Sequence, residues 1–185
     1  MQNSNSHVRR LVYAAVCLAL ALVLPLLIGQ IPQIGQALSP MHIPVLLCGL
    51  ICGGWYGICC GVIGPVLSSI LTGMPGASML VSMVPELITY GLITGLMMRV
   101  VRTGKLPADL YISLATAMLA GRIVGGIAKA LVYMGSGEAF TLAVWASSYF
   151  VTALPGIICH LILVPILAMA LYRAKLIPAR YSAAK

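Results

Sequence analysis

Five ionisable side chains lie inside long apolar stretches of this sequence, where charged residues are otherwise rare. Arg122 and Lys129 share one stretch, Glu86 lies in another, and His42 and His160 lie in two more. Burying an ionisable group among apolar residues is costly, so such a group usually faces the interior of a helix bundle and has a function. Two bases against one acid leave the group net positive. This balance favours an anionic ligand, and the guanidinium of Arg122 suits a carboxylate through paired hydrogen bonds.

The same residues also permit structural interpretations. Glu86 and one of the two bases, Arg122 or Lys129, could form an ion pair that only stabilises the bundle, and Lys129 could extend its ammonium group to the membrane interface. His42 is expected to contact a ligand or to hydrogen-bond a loop rather than to bind a metal. His160 lies deep in the last apolar stretch and is expected to be an internal histidine with satisfied hydrogen bonds.

The remaining reactive residue types argue against an enzyme. Ser68 and Ser69 have no neighbouring acid or base to activate them. The sequence contains no Gly-x-x-x-x-Gly-Lys-Ser/Thr loop, so the chain is not expected to bind ATP in that way. The cysteines occur in apolar stretches without a histidine or acid cluster, so we predict buried packing residues and no metal or other cofactor. They are Cys17, Cys48, Cys52, Cys59, Cys60 and Cys159.

The composition indicates that lipid is the solvent. Of the 185 residues, 61% are hydrophobic and 8% are charged, and the mean hydropathy is +1.07. Soluble domains carry about a quarter charged residues, and a chain this short cannot bury so much apolar surface in a water-exposed fold. We therefore predict an all-α, polytopic membrane protein that forms a single domain over residues 1–185. The sparse bases occur at segment ends, which is typical of membrane topology rather than of nucleic-acid binding.

Apolar segments of about 20 residues can cross the hydrocarbon core of a bilayer. The sequence contains five apolar segments: Leu11–Ile28, Met41–Leu71, Leu80–Met98, Leu110–Tyr133 and Leu142–Tyr172. The second is long enough for two crossings by two short helices, and the glycines at 53, 54 and 57 predict a tight turn between them.

The positions of the basic residues decide between one and two crossings in that segment. One basic cluster precedes the first segment, one lies between the third and fourth, and one ends the chain: Arg9 and Arg10; Arg99, Arg102 and Lys105; Arg173, Lys175, Arg180 and Lys185. Two crossings put all three clusters on one side of the membrane, which is the cytoplasmic side by the positive-inside rule. We therefore predict six transmembrane helices with both termini in the cytoplasm.

This topology puts most of the polar residues at a similar depth in the membrane. The deep ionisable groups other than His160 fall in the outer half of the membrane, together with the glutamines of the first external loop and a few aromatic residues. The predicted external pocket consists of Arg122, Glu86, His42, Lys129, Gln33, Gln36, Tyr90, Trp145 and Tyr149.

Small residues at four-residue spacing predict close helix packing. Glycines recur in this way at 49, 53, 57 and 61, at 91 and 95, and at 121 and 125, and we expect contacts within the chain. Ala15 and Ala19 form a similar stripe in the first helix. For them, packing within the chain and contact with another subunit remain open.

The Pro/Gly pattern of the second and third helices resembles that of the substrate-binding S components of energy-coupling factor (ECF) vitamin transporters. The residues that carry this resemblance are Met41–Gly53, Tyr56-Gly57, Gly64-Pro65 and Leu71–Pro75. Ala15-x-x-x-Ala19 is similar to the alanine motif by which this family docks onto its transmembrane coupling subunit. The resemblance implies that coupling subunit, two ATPase subunits, a vitamin pocket near the outer face, and location in the cell membrane. ATPase partners would explain the missing phosphate loop.

The residues give less direct evidence about the substrate. Pantothenate and lipoate are single carboxylates that suit Arg122, and the sequence is similar to those of the pantothenate subgroup. Riboflavin is the neutral alternative, although Tyr90, Trp145 and Tyr149 offer little stacking surface. The alternative class is a self-sufficient secondary transporter of a small anion, in which Glu86 would carry a coupling proton.

Overall fold

The computed structural model describes residues 2–28, 38–136, 141, 144–145, 147 and 151–175. Six helices of three turns or more lie within them: α1 (Gln2–Ile28), α2 (His42–Cys52), α3 (Gly54–Thr72), α4 (Ala77–Val100), α5 (Leu106–Ser136) and α6 (Leu154–Arg173). The described residues contain no β-strand. All of these helices except α2 are long and apolar enough to cross a membrane, so the prediction of an all-helical membrane protein is confirmed.

The break between α2 and α3 is a single residue. Gly53 has φ 105° and ψ 167°, a conformation that glycine adopts without steric cost, and α3 starts at the next residue. The predicted turn is thus present but shorter than residues 53–57. The expectation of two short helices is wrong for α3, which has 19 residues.

The short helix α2 is enclosed by the other helices. Its 11 residues extend over about 16 Å, roughly half of a hydrocarbon core. Ten of them are buried, and α2 contacts α1, α3, α4, α5 and α6. Enclosure satisfies the membrane constraint, because irregular backbone beyond the end of a short helix must be surrounded by protein or line a cavity.

Most basic residues in the described part of the chain lie at one end of the bundle, which we call the basic end. There, Arg9 at the start of α1 donates a hydrogen bond from Nη2 to the carbonyl oxygen of Lys175, 2.9 Å away, just after α6. Gly53, between α2 and α3, faces the Arg99 guanidinium at the end of α4. The opposite end, which we call the pocket end, contains the end of α1, the α3–α4 turn and the start of α6.

The contact between α3 and α4 is made backbone to backbone. A Cβ atom added to Gly91 would meet the backbone of Gly57, and one added to Gly61 would lie 2.7 Å from the carbonyl oxygen of Leu87. Gly95 is similarly close to the backbone of Gly54. The prediction that these glycines pack within the chain is confirmed.

The glycines of α5 make space for polar side chains of α4. Gly121 lies against the ring of Tyr90, and a Cβ added to Gly125 would lie 2.8 Å from Oε2 of Glu86. Close packing of α4 against α5 therefore depends on glycine at the two positions where α4 carries its buried polar residues.

Gly91→Ala tests the backbone contact. The added methyl group must displace the backbone of α3, and overpacking of this kind costs about 1–3 kcal/mol. We expect the melting temperature of the detergent-solubilised protein to fall by about 5 °C. Gly76→Ala is the control, because a Cβ at Gly76 has no neighbour within 4 Å. Equal melting temperatures for the two variants would contradict this packing.

Candidate functional site

A cavity of about 790 Å³ lies at the pocket end. Its wall comes from the end of α1, the start of α2, the end of α3, the first half of α4, the second half of α5 and the residues before α6. Small-molecule sites typically measure about 300–1,000 Å³. The cavity therefore has the volume of a binding site for one small ligand.

Glu86 lies in the wall of this cavity and is 8% exposed. Its Oε1 accepts a 2.6 Å hydrogen bond from the Tyr90 hydroxyl, one turn further along α4. The same oxygen lies 3.6 Å from His42 Nε2. Among the described residues, the basic side chain within 4 Å of the Glu86 carboxylate is therefore His42, and neither Arg122 nor Lys129 takes the position considered from the sequence.

His42 stacks on the ring of His160 and lies at a tilt against the ring of Tyr90. Its ring centroid is 5.3 Å from that of Tyr90 and 5.8 Å from that of His160, with an angle of 17° between the two imidazole planes. His160 is 1% exposed and thus joins the polar cluster, whereas the sequence placed it apart. The apolar stretch that starts at Leu142 predicts an earlier start for the last helix. That helix begins at Leu154, with Pro155 in its first turn, so His160 lies in the part of α6 nearer the pocket end.

Two cations of α5 line the cavity at different depths. Arg122 is 6% exposed and lies near the middle of the helix, slightly deeper than the outer half expected from the sequence. Lys129 is half-buried and lies about 10 Å nearer the pocket end. Its ammonium nitrogen is 5.9 Å from the ring centroid of Tyr133. A ligand entering from the pocket end would reach Lys129 first and Arg122 last.

Hydroxyl groups at the end of α3 hold the adjoining turn in the cavity wall. Ser68 and Ser69 donate 2.8 Å hydrogen bonds to the carbonyl oxygens of Met74 and Pro75, respectively. The Thr72 hydroxyl accepts a 3.2 Å hydrogen bond from the backbone N–H of Met74. These serines are therefore structural, in agreement with the prediction that they are not nucleophiles.

Methionines form much of the apolar wall, a feature that the sequence did not reveal. Met41, Met74, Met79 and Met83 line the cavity. They come from three separate segments, so no local spacing in the sequence marks them as a group. Flexible thioether side chains adapt to ligands of irregular shape.

The remaining residues predicted for the pocket do not appear among the described residues that line the cavity. Trp145 donates a hydrogen bond from Nε1 to the carbonyl oxygen of Arg122, 3.4 Å away, and packs against Gly126. Tyr90 acts on the cavity through Glu86. Gln33, Gln36 and Tyr149 lie outside the described residues.

The alanine stripe of α1 lies on the outside of the bundle. Ala15 and Ala19 are exposed, whereas Cys17 and Ala21 on the other face are buried in the core. A contact within the described part of the chain therefore does not account for the stripe.

The cysteines only partly match the prediction of buried packing residues. Cys17, Cys48, Cys52 and Cys60 are buried, but Cys159 is half-buried and Cys59 is exposed. Cys59 faces outward because the opposite face of α3 packs on α4. Within the described ranges, no group of His, Cys, Asp or Glu residues has the geometry to hold a metal ion.

Comparison with known proteins assigns this helix bundle and its cavity to a family. The family model described as "ECF transporter, substrate-specific component" matches residues 9–168. Neither a curated protein nor a solved structure matches the chain. Because the family model extends over most of the sequence, from the start of α1 into α6, the chain belongs to the substrate-specific component family of ECF transporters, whose members are substrate-binding subunits of vitamin-type transporters and not enzymes.

Proposed function

We propose that this chain is the high-affinity membrane-embedded subunit that binds a small water-soluble vitamin carrying a carboxylate, such as pantothenate, for uptake. The observation that carries the proposal is the buried guanidinium of Arg122 in the wall of a cavity of about 790 Å³. A guanidinium in a site of low dielectric constant binds a carboxylate through two charge-assisted hydrogen bonds. Lys129, nearer the mouth, adds a second positive charge that attracts an anion.

The rest of the lining favours a flexible ligand over a flat aromatic one. Tyr133 is the one Phe, Tyr or Trp residue among the described residues that line the cavity, so little surface is available for stacking an isoalloxazine ring. Hydroxyl groups such as those of Ser78 and Ser82 alternate with methionines along the wall. This mixture suits the hydroxyl and amide groups of pantothenate. The methionines also suit the aliphatic chain of lipoate, which is the second candidate.

The basic end supports one orientation of the bundle in the membrane. Arg9, Arg99, Arg102 and Lys105 lie there, and basic residues flanking transmembrane helices remain preferentially in the cytoplasm. We infer that both termini are cytoplasmic and that the cavity opens to the outside of the cell membrane.

The exposed alanines of α1 are proposed as the docking face for a transmembrane coupling subunit that assembles with two ATPase subunits. Small side chains allow two helix backbones to approach closely in a membrane. The ATPases would supply the energy for uptake, since the sequence has no phosphate loop of its own.

Replacing Arg122 tests the carboxylate site. Loss of one partner of a buried charged pair costs about 2–5 kcal/mol, so Arg122→Gln should weaken pantothenate binding by about 30-fold or more. Arg122→Lys keeps the charge but not the paired geometry and should have an intermediate effect. The measurement is isothermal titration calorimetry on the purified protein. Arg99→Gln at the basic end is the control and should change affinity less than about twofold. Full affinity in Arg122→Gln would show that the site is assigned wrongly.

Larger side chains on α1 test the docking face. Ala15→Leu and Ala19→Leu should reduce recovery of the coupling subunit on co-purification by about fivefold or more, because they prevent close approach of the backbones. Vitamin binding by the isolated chain should be unchanged. Ala115→Leu is the control, because Ala115 is also exposed but lies on α5. Undiminished recovery with both α1 variants would rule out this face.

A further inference from the structure

Glu86 is an unexpected group in the wall of an anion site. Its carboxylate is almost fully buried and faces the same cavity as Arg122. Within the described part of the chain, Tyr90 donates a hydrogen bond to this carboxylate and His42 Nε2 lies 3.6 Å from it. A negative charge in this position repels an anionic ligand, and in a site of low dielectric constant that repulsion is poorly screened.

His42 is placed to offset this repulsion. Its Nε2 is 3.6 Å from Glu86 Oε1, its side chain is 9% exposed, and its ring lines the cavity. Its other ring nitrogen, Nδ1, is buried and makes no hydrogen bond to the described residues. A proton on this imidazole would therefore lie beside the Glu86 carboxylate and offset its negative charge.

The net charge around His42 depends on the titratable groups that the neighbouring helices place near it. α4 contributes Glu86 and Tyr90, α5 contributes Arg122 and Lys129, and α6 contributes His160. The titratable groups of α1 and α3 in the core are Cys17 and Cys60, which lie beside Cys48, almost two turns along α2 from His42.

Counting charges in the buried part of the site shows what a bound anion requires. The negative charge of Glu86 balances the positive charge of Arg122, so a bound monoanion leaves one uncompensated negative charge when His42 is neutral. Lys129 is half-exposed near the mouth, where water weakens its effect. An uncompensated buried charge is strongly unfavourable. One added proton restores neutrality.

We propose that the ligand anion and one proton bind together, with the proton on His42 beside Glu86. This inference rests on the proposed function, because it takes a carboxylate as the ligand. His160 limits the uptake to a single proton, since two stacked imidazolium rings with centroids 5.8 Å apart repel each other.

The direction of the pH dependence follows from linkage. A proton that is held more strongly in the liganded site than in the empty site makes the ligand bind more tightly at low pH. Affinity therefore falls as pH rises above neutrality, by up to about tenfold per pH unit for one linked proton. At a pH low enough to protonate the ligand carboxylate, the anion itself disappears and binding weakens again.

Calorimetry measures the linked proton directly. Pantothenate is titrated into the purified protein at pH 7.5 in phosphate, MOPS and Tris, which differ in ionisation enthalpy. The slope of the observed enthalpy against the buffer enthalpy gives the number of protons taken up, and we expect a value of about 0.5–1. The dissociation constant should also rise between pH 7 and pH 8.5.

Two variants assign the proton to its site. Glu86→Gln removes the negative charge but keeps an acceptor for Tyr90, so pantothenate should bind at least as tightly, with proton uptake near zero and with affinity that varies less than about twofold over this pH range. His42→Asn should also abolish proton uptake. His7→Asn, on the exposed start of α1, is the matched control and should keep the wild-type proton number. A role of Glu86 in folding alone would not change the proton number.

Three outcomes would overturn the inference in distinguishable ways. Binding of pantothenate with no buffer dependence would reject the linked proton and leave the proposed function intact. Wild-type proton uptake in both Glu86→Gln and His42→Asn would reject the assignment of the proton to this pair. Absence of binding by pantothenate and by lipoate would contradict the proposed function, and this inference with it.

Discussion

The arrangement of the bundle depends on holding a carboxylate among helices that have lipid as their solvent. Glu86 is 8% exposed, so most of its surroundings, including its polar partners, come from the protein. Tyr90 and His42 supply them at 2.6 and 3.6 Å. Gly121 and Gly125 leave room for these side chains while α5 packs on α4. The pairing of α4 with α5 and the position of α2 are thus tied to one polar cluster.

The cavity arises because α2 is short. His42, its first residue, is level with Glu86, which is about 14 Å along α4 from the start of that helix. The volume between His42 and the pocket end is therefore not filled by a helix, and side chains from the surrounding helices line it. Ten buried residues hold α2 in place. A shortened, enclosed helix thus converts an otherwise solid bundle into a receptor with Arg122 toward its inner end.

Much of the fold could be predicted from the sequence, because the membrane imposes strong constraints on composition and charge. The basic clusters gave the number of helices, and the spacing of glycines such as Gly57 and Gly91 gave the close contacts. The partner of Glu86 could not be predicted, since it depends on how far the start of α2 reaches into the bundle. His160 was placed at the wrong depth because the predicted last segment starts at Leu142, whereas α6 starts at Leu154. The methionine wall is assembled from distant segments and has no sequence pattern.

We propose that this site binds its ligand as an anion. The most direct test compares the dissociation constant of pantothenate with that of pantothenol, in which a hydroxymethyl group replaces the carboxylate, on the same purified protein. Because the carboxylate would be held by the buried guanidinium of Arg122, we expect pantothenol to bind at least about 30-fold more weakly. Equal affinities for the acid and the alcohol would contradict it.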